Sequence, residues 1–148
     1  MPDEHADVVR NLVAEWLRWA KADLQVASLT DDERIAPEIA AFHAQQAAEK
    51  TLKALLVQEQ IDFPRTHSIG ALMALCEEAG IAGAQDLIDA TSLTRYAVAT
   101  RYPGEEDPVG REEAREAATL AAQVFGWGVA QILAAGHEEG SELSGQSP

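Results

Sequence analysis

The sequence predicts an all-α fold: an antiparallel bundle of about five helices built on a four-helix up-and-down core. Three observations predict it. Apolar residues return at three- and four-residue steps over long stretches. No stretch alternates apolar and polar side chains over the length of a strand. Proline, glycine and short polar clusters cut the chain into helix-length pieces with short connections, as in a bundle.

The first helix starts near Val8. Val9, Leu12, Val13, Trp16, Ala20, Leu24 and Ala27 make its apolar face. Asp23 falls beside that face, and a carboxylate there must be paired or reach water. Lys50 is its candidate partner across the packing of helices one and two. Trp19 lies off the stripe and reads as an interface residue. Ser28-Leu29-Thr30-Asp31-Asp32 ends the helix, because short polar side chains compete for the backbone hydrogen bonds.

Helix two begins near Arg34 or Pro37, since proline is tolerated in a first turn. It runs to about Gln60, with Ala41, Ala48, Leu52, Leu55 and Leu56 buried and Phe42 at the edge. Glu49 and Lys53, four residues apart, read as a surface pair. Pro64 prevents the helix from continuing through the next connection. Thr66 or Ser68 caps a short third helix carrying Ile69, Leu72, Met73, Leu75 and Cys76, and Gly80 closes it.

Helix four is expected from about Gln85 to Arg101, with Leu87, Ile88, Leu93, Ala97 and Val98 as its apolar members and Pro103 as its stop. A loop at 104–110 follows. Helix five opens on Glu112, Glu113 and Glu116, which suit the positive end of a helix dipole. It continues through Ala114, Ala118, Ala121, Phe125, Gly128 and Ile132. The domain is placed at 8–135, and the Gly-, Ser- and Glu-rich tail at 136–148 is expected to be disordered.

Length and composition bound the function. A chain of 148 residues is one domain with a real core. The lone Cys76 rules out an internal disulfide framework and fits a reducing cytosol. No basic start with an apolar follow-on opens the chain, and no apolar run is read as approaching the ~20 residues of a membrane span. A cytoplasmic protein with no membrane contact is therefore expected. The net charge of −14 repels phosphate backbones at long range. It speaks against non-specific DNA binding and restricts any nucleotide or RNA to a local basic pocket.

Few residues carry candidate chemistry. There is no glycine-rich phosphate loop, no Gly-x-Ser-x-Gly and no Cys-x-x-Cys. His43, Gln46 and Glu49 share a spacing of three, but a di-metal bundle asks for Glu-x-x-His on more than one helix. No metal and no cofactor are expected. Arg95, Arg101 and Tyr102 form the main candidate, an anion pocket able to hold phosphate through guanidinium hydrogen bonds. Lys50 and Glu49 are its candidate additions. The structural alternatives stay open: Arg101 and Tyr102 as helix-end residues, and Lys50 as the neutraliser of Asp23.

Several pieces together resemble the HEPN family. They are Trp16, Ala20, Asp23-Leu24 and Ala27; Phe42-His43-Ala44-Gln45-Gln46-Ala47-Ala48-Glu49-Lys50 with Leu52-Lys53-Ala54; Thr66-His67-Ser68 with Leu72; and Arg101-Tyr102-Pro103. The resemblance implies a four- or five-helix bundle that forms a homodimer, with a polar site in the cleft between protomers. Many members are RNA-cleaving toxins or defence ribonucleases, with an arginine followed after four to six residues by a histidine. Small members often sit beside a minimal nucleotidyltransferase, which modifies a tyrosine two places after that histidine. Here Arg95 and Tyr102 match that pattern, but the histidine position is Thr100, and no arginine has a histidine at the required spacing. Threonine cannot shuttle a proton near neutral pH.

Three functions follow from this reading. The first is a nucleotide- or RNA-binding HEPN-like protein of toxin or defence type, degenerate at Thr100, that acts with a nucleotidyltransferase and offers Tyr102 for modification. The second is a metal-independent endoribonuclease using Arg95, Arg101 and Tyr102. The third is a purely structural dimerisation or docking module.

Overall fold

A computed structural model describes residues 3–97 and 108–144, with the side chains of the last helix described as far as Gly136. The elements are α1 (Glu4–Ala27), α2 (Pro37–Gln58), α3 (Ile69–Glu78), a 3₁₀ segment (Ala84–Tyr96) and α4 (Arg111–Ser144). The described residues contain no strand.

The centre of the molecule is α2, which packs against all four other elements. Thirteen of its 22 residues are buried, so it has little solvent face left. Its alanines explain this. Ala40, Ala41, Ala44, Ala47, Ala48 and Ala54 are inaccessible, and small side chains let neighbouring helices approach from several sides. Gly128 of α4 meets α2 at Thr51 and Leu55. Close approach of backbone there is what a glycine permits.

α1 lies antiparallel to α2: Trp16 stands near Lys53, whereas Asp23 reaches Lys50 and His43. At the other end of this pair, His5 Nε2 is 2.6 Å from Gln60 Oε1. α4 runs in the same sense as α2. Its Arg111 donates to the Thr30 carbonyl near the start of α2, while Gly128 faces Thr51. The antiparallel bundle expected from the sequence is the fold observed.

Helix ends follow the local chemistry. Ser68 caps α3, its hydroxyl accepting from the Ala71 amide. Gly80 has a φ of +79°, and the bonds Gly80 N–H to Glu77 and Ile81 N–H to Cys76 close the helix as a Schellman turn. α2 ends the same way with Gln60 at φ +55°, a conformation its sequence does not advertise.

Four expectations need correction. Helix four is a 3₁₀ segment interrupted at Leu87 (φ −107°, ψ 19°). Its Thr91 and Ser92 hydroxyls donate to the carbonyls three residues back, which competes with regular α-helical bonding. Ile88, expected inside, is 67% exposed, and Leu12 also lies outside. On α4 the buried stripe is Ala114, Ala117, Ala121, Val124 and Gly128, so Ala118 and Phe125 flank it. The segment Arg111–Gly136 is long and apolar enough by length and composition to cross a membrane, with a mean hydropathy of 1.4, although the sequence reading expects no such run. Its buried stripe packs on α2. α4 continues past Gly136 to Ser144.

Candidate functional site

The polar residues of α2 divide into two clusters. In the first, Asp23 of α1 is buried and paired. Lys50 Nζ lies 2.5 Å from its Oδ2, and His43 Nδ1 lies 2.8 Å from its Oδ1. The carboxylate beside the apolar stripe is thus satisfied across the α1–α2 packing. His43 also meets Phe42 edge to face, with ring centroids 5.2 Å apart.

The second cluster is built on Glu49, which is buried rather than on the surface. Gln45 donates to Glu49 Oε1 at 3.0 Å, and His67 Nδ1 approaches the same oxygen at 2.8 Å. Lys53 Nζ donates to Oε2 at 3.1 Å. The expected exposed Glu49–Lys53 pair is buried because α1 and the 61–68 connection cover it. Trp16 and Phe63 each place a ring centroid 5.7 Å from the ammonium. Gln45 also donates to the His67 carbonyl at 3.1 Å, which ties the connection to α2. Burial alone would raise the carboxyl's pKa. The hydrogen bonds from Gln45 and His67 and the charge of Lys53 outweigh it and hold Glu49 below the ordinary carboxylate value.

Arg95 lies near the end of the 3₁₀ segment. Its guanidinium is largely exposed, lies over the Tyr96 ring, and comes within 3.8 Å of Glu113 on α4. Tyr96 is buried, and its hydroxyl donates to Glu113. Thr94 accepts from the Ile69 amide at 3.0 Å, so this end of the segment is pinned to the first turn of α3. Thr100, Arg101 and Tyr102 lie outside the described residues.

The scan of protein families matches the HEPN domain over residues 13–132. The chain belongs to the HEPN family. Among solved structures, TT1696 from Thermus thermophilus is 31% identical with a TM-score of 0.69, covering 80% of this chain and 97% of that one. ST0689, described as an archaeal HEPN homologue, is 29% identical with a TM-score of 0.63, covering 81% of this chain and 97% of its own. No curated protein matches the chain.

Within this HEPN fold the predicted site residues divide. Glu49 and Lys50 are adjacent in sequence, so their side chains leave α2 in different directions. Glu49 turns to the 61–68 connection and Lys50 turns to α1. Lys50 takes the structural part foreseen for it, as the partner of Asp23. Arg95 engages α4 instead. The sequence reading missed the Glu49–His67 contact. The start of α3 is capped by Ser68, as expected, and His67 turns to Glu49. Eighteen residues separate the pair, and no helical spacing signals it. A groove of 510 Å³ between α1 and the end of α4, lined by Val9, Val13, Leu17, Gln58 and Ile132 among others, contains none of the predicted site residues.

Proposed function

We propose that this HEPN protein binds a nucleotide or an RNA phosphate through the exposed guanidinium of Arg95, with Arg101 and Tyr102 completing the pocket in a cleft between two protomers. The observation that carries the reading is Arg95 itself: a largely exposed cation beside a tyrosine ring, in a protein of net charge −14. In such a chain a local cation is where an anion gains most. Large apolar side chains left outside, among them Leu12, Trp19 and Leu133, support self-association.

The family's arginine–histidine motif is degenerate at Thr100. The reading therefore favours a cytoplasmic binding component of toxin or defence type, whose partner is a nucleotidyltransferase and whose modified residue is Tyr102. Titration with AMP, ATP and a short RNA, followed by calorimetry and NMR, tests it. The wild type binds at least one of these, and Arg95→Ala weakens it without loss of helicity. Binding unchanged in Arg95→Ala overturns the site. Co-purification with the product of the neighbouring gene, and a mass increment of adenylate on Tyr102, test the partner.

A further inference from the structure

α1 carries two stripes. Val13, Ala20 and Ala27 are buried in the bundle. On another side of the helix stand Val8, Leu12, Glu15, Trp19, Ala22 and Val26, spaced by four, three, four, three and four residues. That alternation is the a/d seam of a coiled coil, and here it runs for about 27 Å. Such a seam is suited to receive a second helix. The described bundle leaves it open: Val8 is 54%, Leu12 48% and Trp19 51% exposed, Ala22 is exposed and Val26 half-buried. Its one charged member is already ordered. Glu15 accepts from Arg18 at 2.7 Å, and the Arg18 guanidinium lies 5.0 Å from the Trp19 ring centroid.

We propose that this seam is covered by the same seam of a second copy of the chain, the two α1 helices lying antiparallel about a two-fold axis at the level of Leu17. The proposal rests on the self-association read from the exposed apolar side chains, and not on anion binding at Arg95. Charge selects the occupant. Two copies at −14 each repel at long range. Between Val8 and Val26, however, Arg10, Arg18 and Lys21 stand against Glu15 and Asp23, a net of +1, so self-repulsion is small along this helix. Size and charge select the orientation. In a parallel pair Glu15 meets Glu15 and Trp19 meets Trp19, which sets like charge on like and the largest side chains on each other. In an antiparallel pair the a and d positions exchange partners. Leu12 then faces the second copy's Ala22, Trp19 faces its Glu15, and Val26 faces its Val8. Arg18 comes level with the second copy's Glu15, so two Glu15–Arg18 pairs become one cluster of alternating charge around the axis. An isologous two-fold contact needs a self-complementary surface of this kind.

The test is sedimentation equilibrium of the full chain from about 1 to about 200 μM, the range of a moderate self-association. The wild type reaches twice the 15.9 kDa of one chain. Trp19→Ala and Leu12→Glu each raise the dimer Kd by about 30-fold or more, the loss that marks a central interface side chain. Both side chains are about half exposed in the bundle, so circular dichroism shows their helicity retained. Leu133→Glu and Ile88→Glu change equally exposed apolar residues on other elements and leave the Kd unchanged. Orientation is read by mixing a Leu12→Cys chain with a tagged Ala22→Cys chain under mild oxidation, the buried Cys76 taking no part. The antiparallel pair gives the mixed disulfide; disulfides between like chains only overturn it. A dimer indifferent to Trp19→Ala and Leu12→Glu overturns this face and leaves self-association through another. A wild type still monomeric at about 200 μM removes both and leaves the seam to a helix of a different protein.

Discussion

Lys50 and Asp23 join the first two helices through a nearly buried ion pair, with Nζ 2.5 Å from Oδ2, and His43 holds the other carboxylate oxygen. Two charged groups at a helix–helix seam are tolerable only because each satisfies the other. Lys50→Met leaves Asp23 with His43 alone. It is expected to cost about 2 kcal/mol, between the values typical of exposed and of buried pairs. The double variant Asp23→Asn, Lys50→Met recovers part of that loss. Urea denaturation of the four proteins of the cycle measures the coupling, and simple additivity would show that the pair contributes nothing.

Two glycines of α4, two residues apart, should respond oppositely to alanine. A Cβ on Gly128 falls inside van der Waals contact of Thr51 Cγ2, against a buried stretch of α2. Gly128→Ala must push the helices apart, at a cost of about 1–3 kcal/mol. Gly126 has nothing within 4 Å of such a Cβ, and Gly126→Ala is expected to stabilise by about 0.5–1 kcal/mol through helix propensity. Thermal melts of the two variants check the difference in sign.

Acid should weaken the fold through Glu49. Its pKa is lowered in the folded chain: burial raises it, but Gln45, His67 and Lys53 together lower it more. The unfolded chain therefore takes up the proton at a higher pH than the native one. Stability from this group is present above the unfolded value and is lost as the pH falls through the folded one. Stability curves from about pH 6 to about pH 3 should be flatter for Glu49→Gln than for the wild type. Parallel curves would assign the acid sensitivity to other carboxylates.

Cys76 should be chemically silent in the native protein. It is buried in the core, and its thiol is pushed up to about 12, by burial first and then by the charge of Glu59. Only the thiolate reacts, so an aromatic disulfide reagent at about pH 8 should modify it at the rate of opening, rising steeply with denaturant. Rapid labelling without denaturant would mean that the α2–α3 packing opens readily.

The fold was legible because its signals are local. The positions of α1, α2 and α3, the Ser68 cap and the left-handed Gly80 follow from periodicity, capping residues and proline within a few residues of each end. The stretch after Gly83 was less legible. Its Thr91 and Ser92 hydroxyls bond back to the chain, and an apolar pattern does not distinguish 3₁₀ from α. The site was legible only in part. Asp23 announced that it needed a partner, and Lys50 stood at a suitable distance along α2. Glu49 and Lys53 showed the spacing of a surface pair. Nothing within four residues of either reveals that Trp16 and Phe63 enclose the lysine, or that His67 arrives from the next connection.

Taken alone, the amino-acid order determined the helical class, the ends of the first three helices and the need for compensation at Asp23. Those are properties of short segments and of a charge set against an apolar stripe. Only the tertiary structure decided that the Glu49–Lys53 pair is buried, that α2 is enclosed by all its neighbours, and that an exposed imidazole rests on a buried glutamate. Burial and long-range pairing are made by segments distant along the chain, and they exist only once those segments meet.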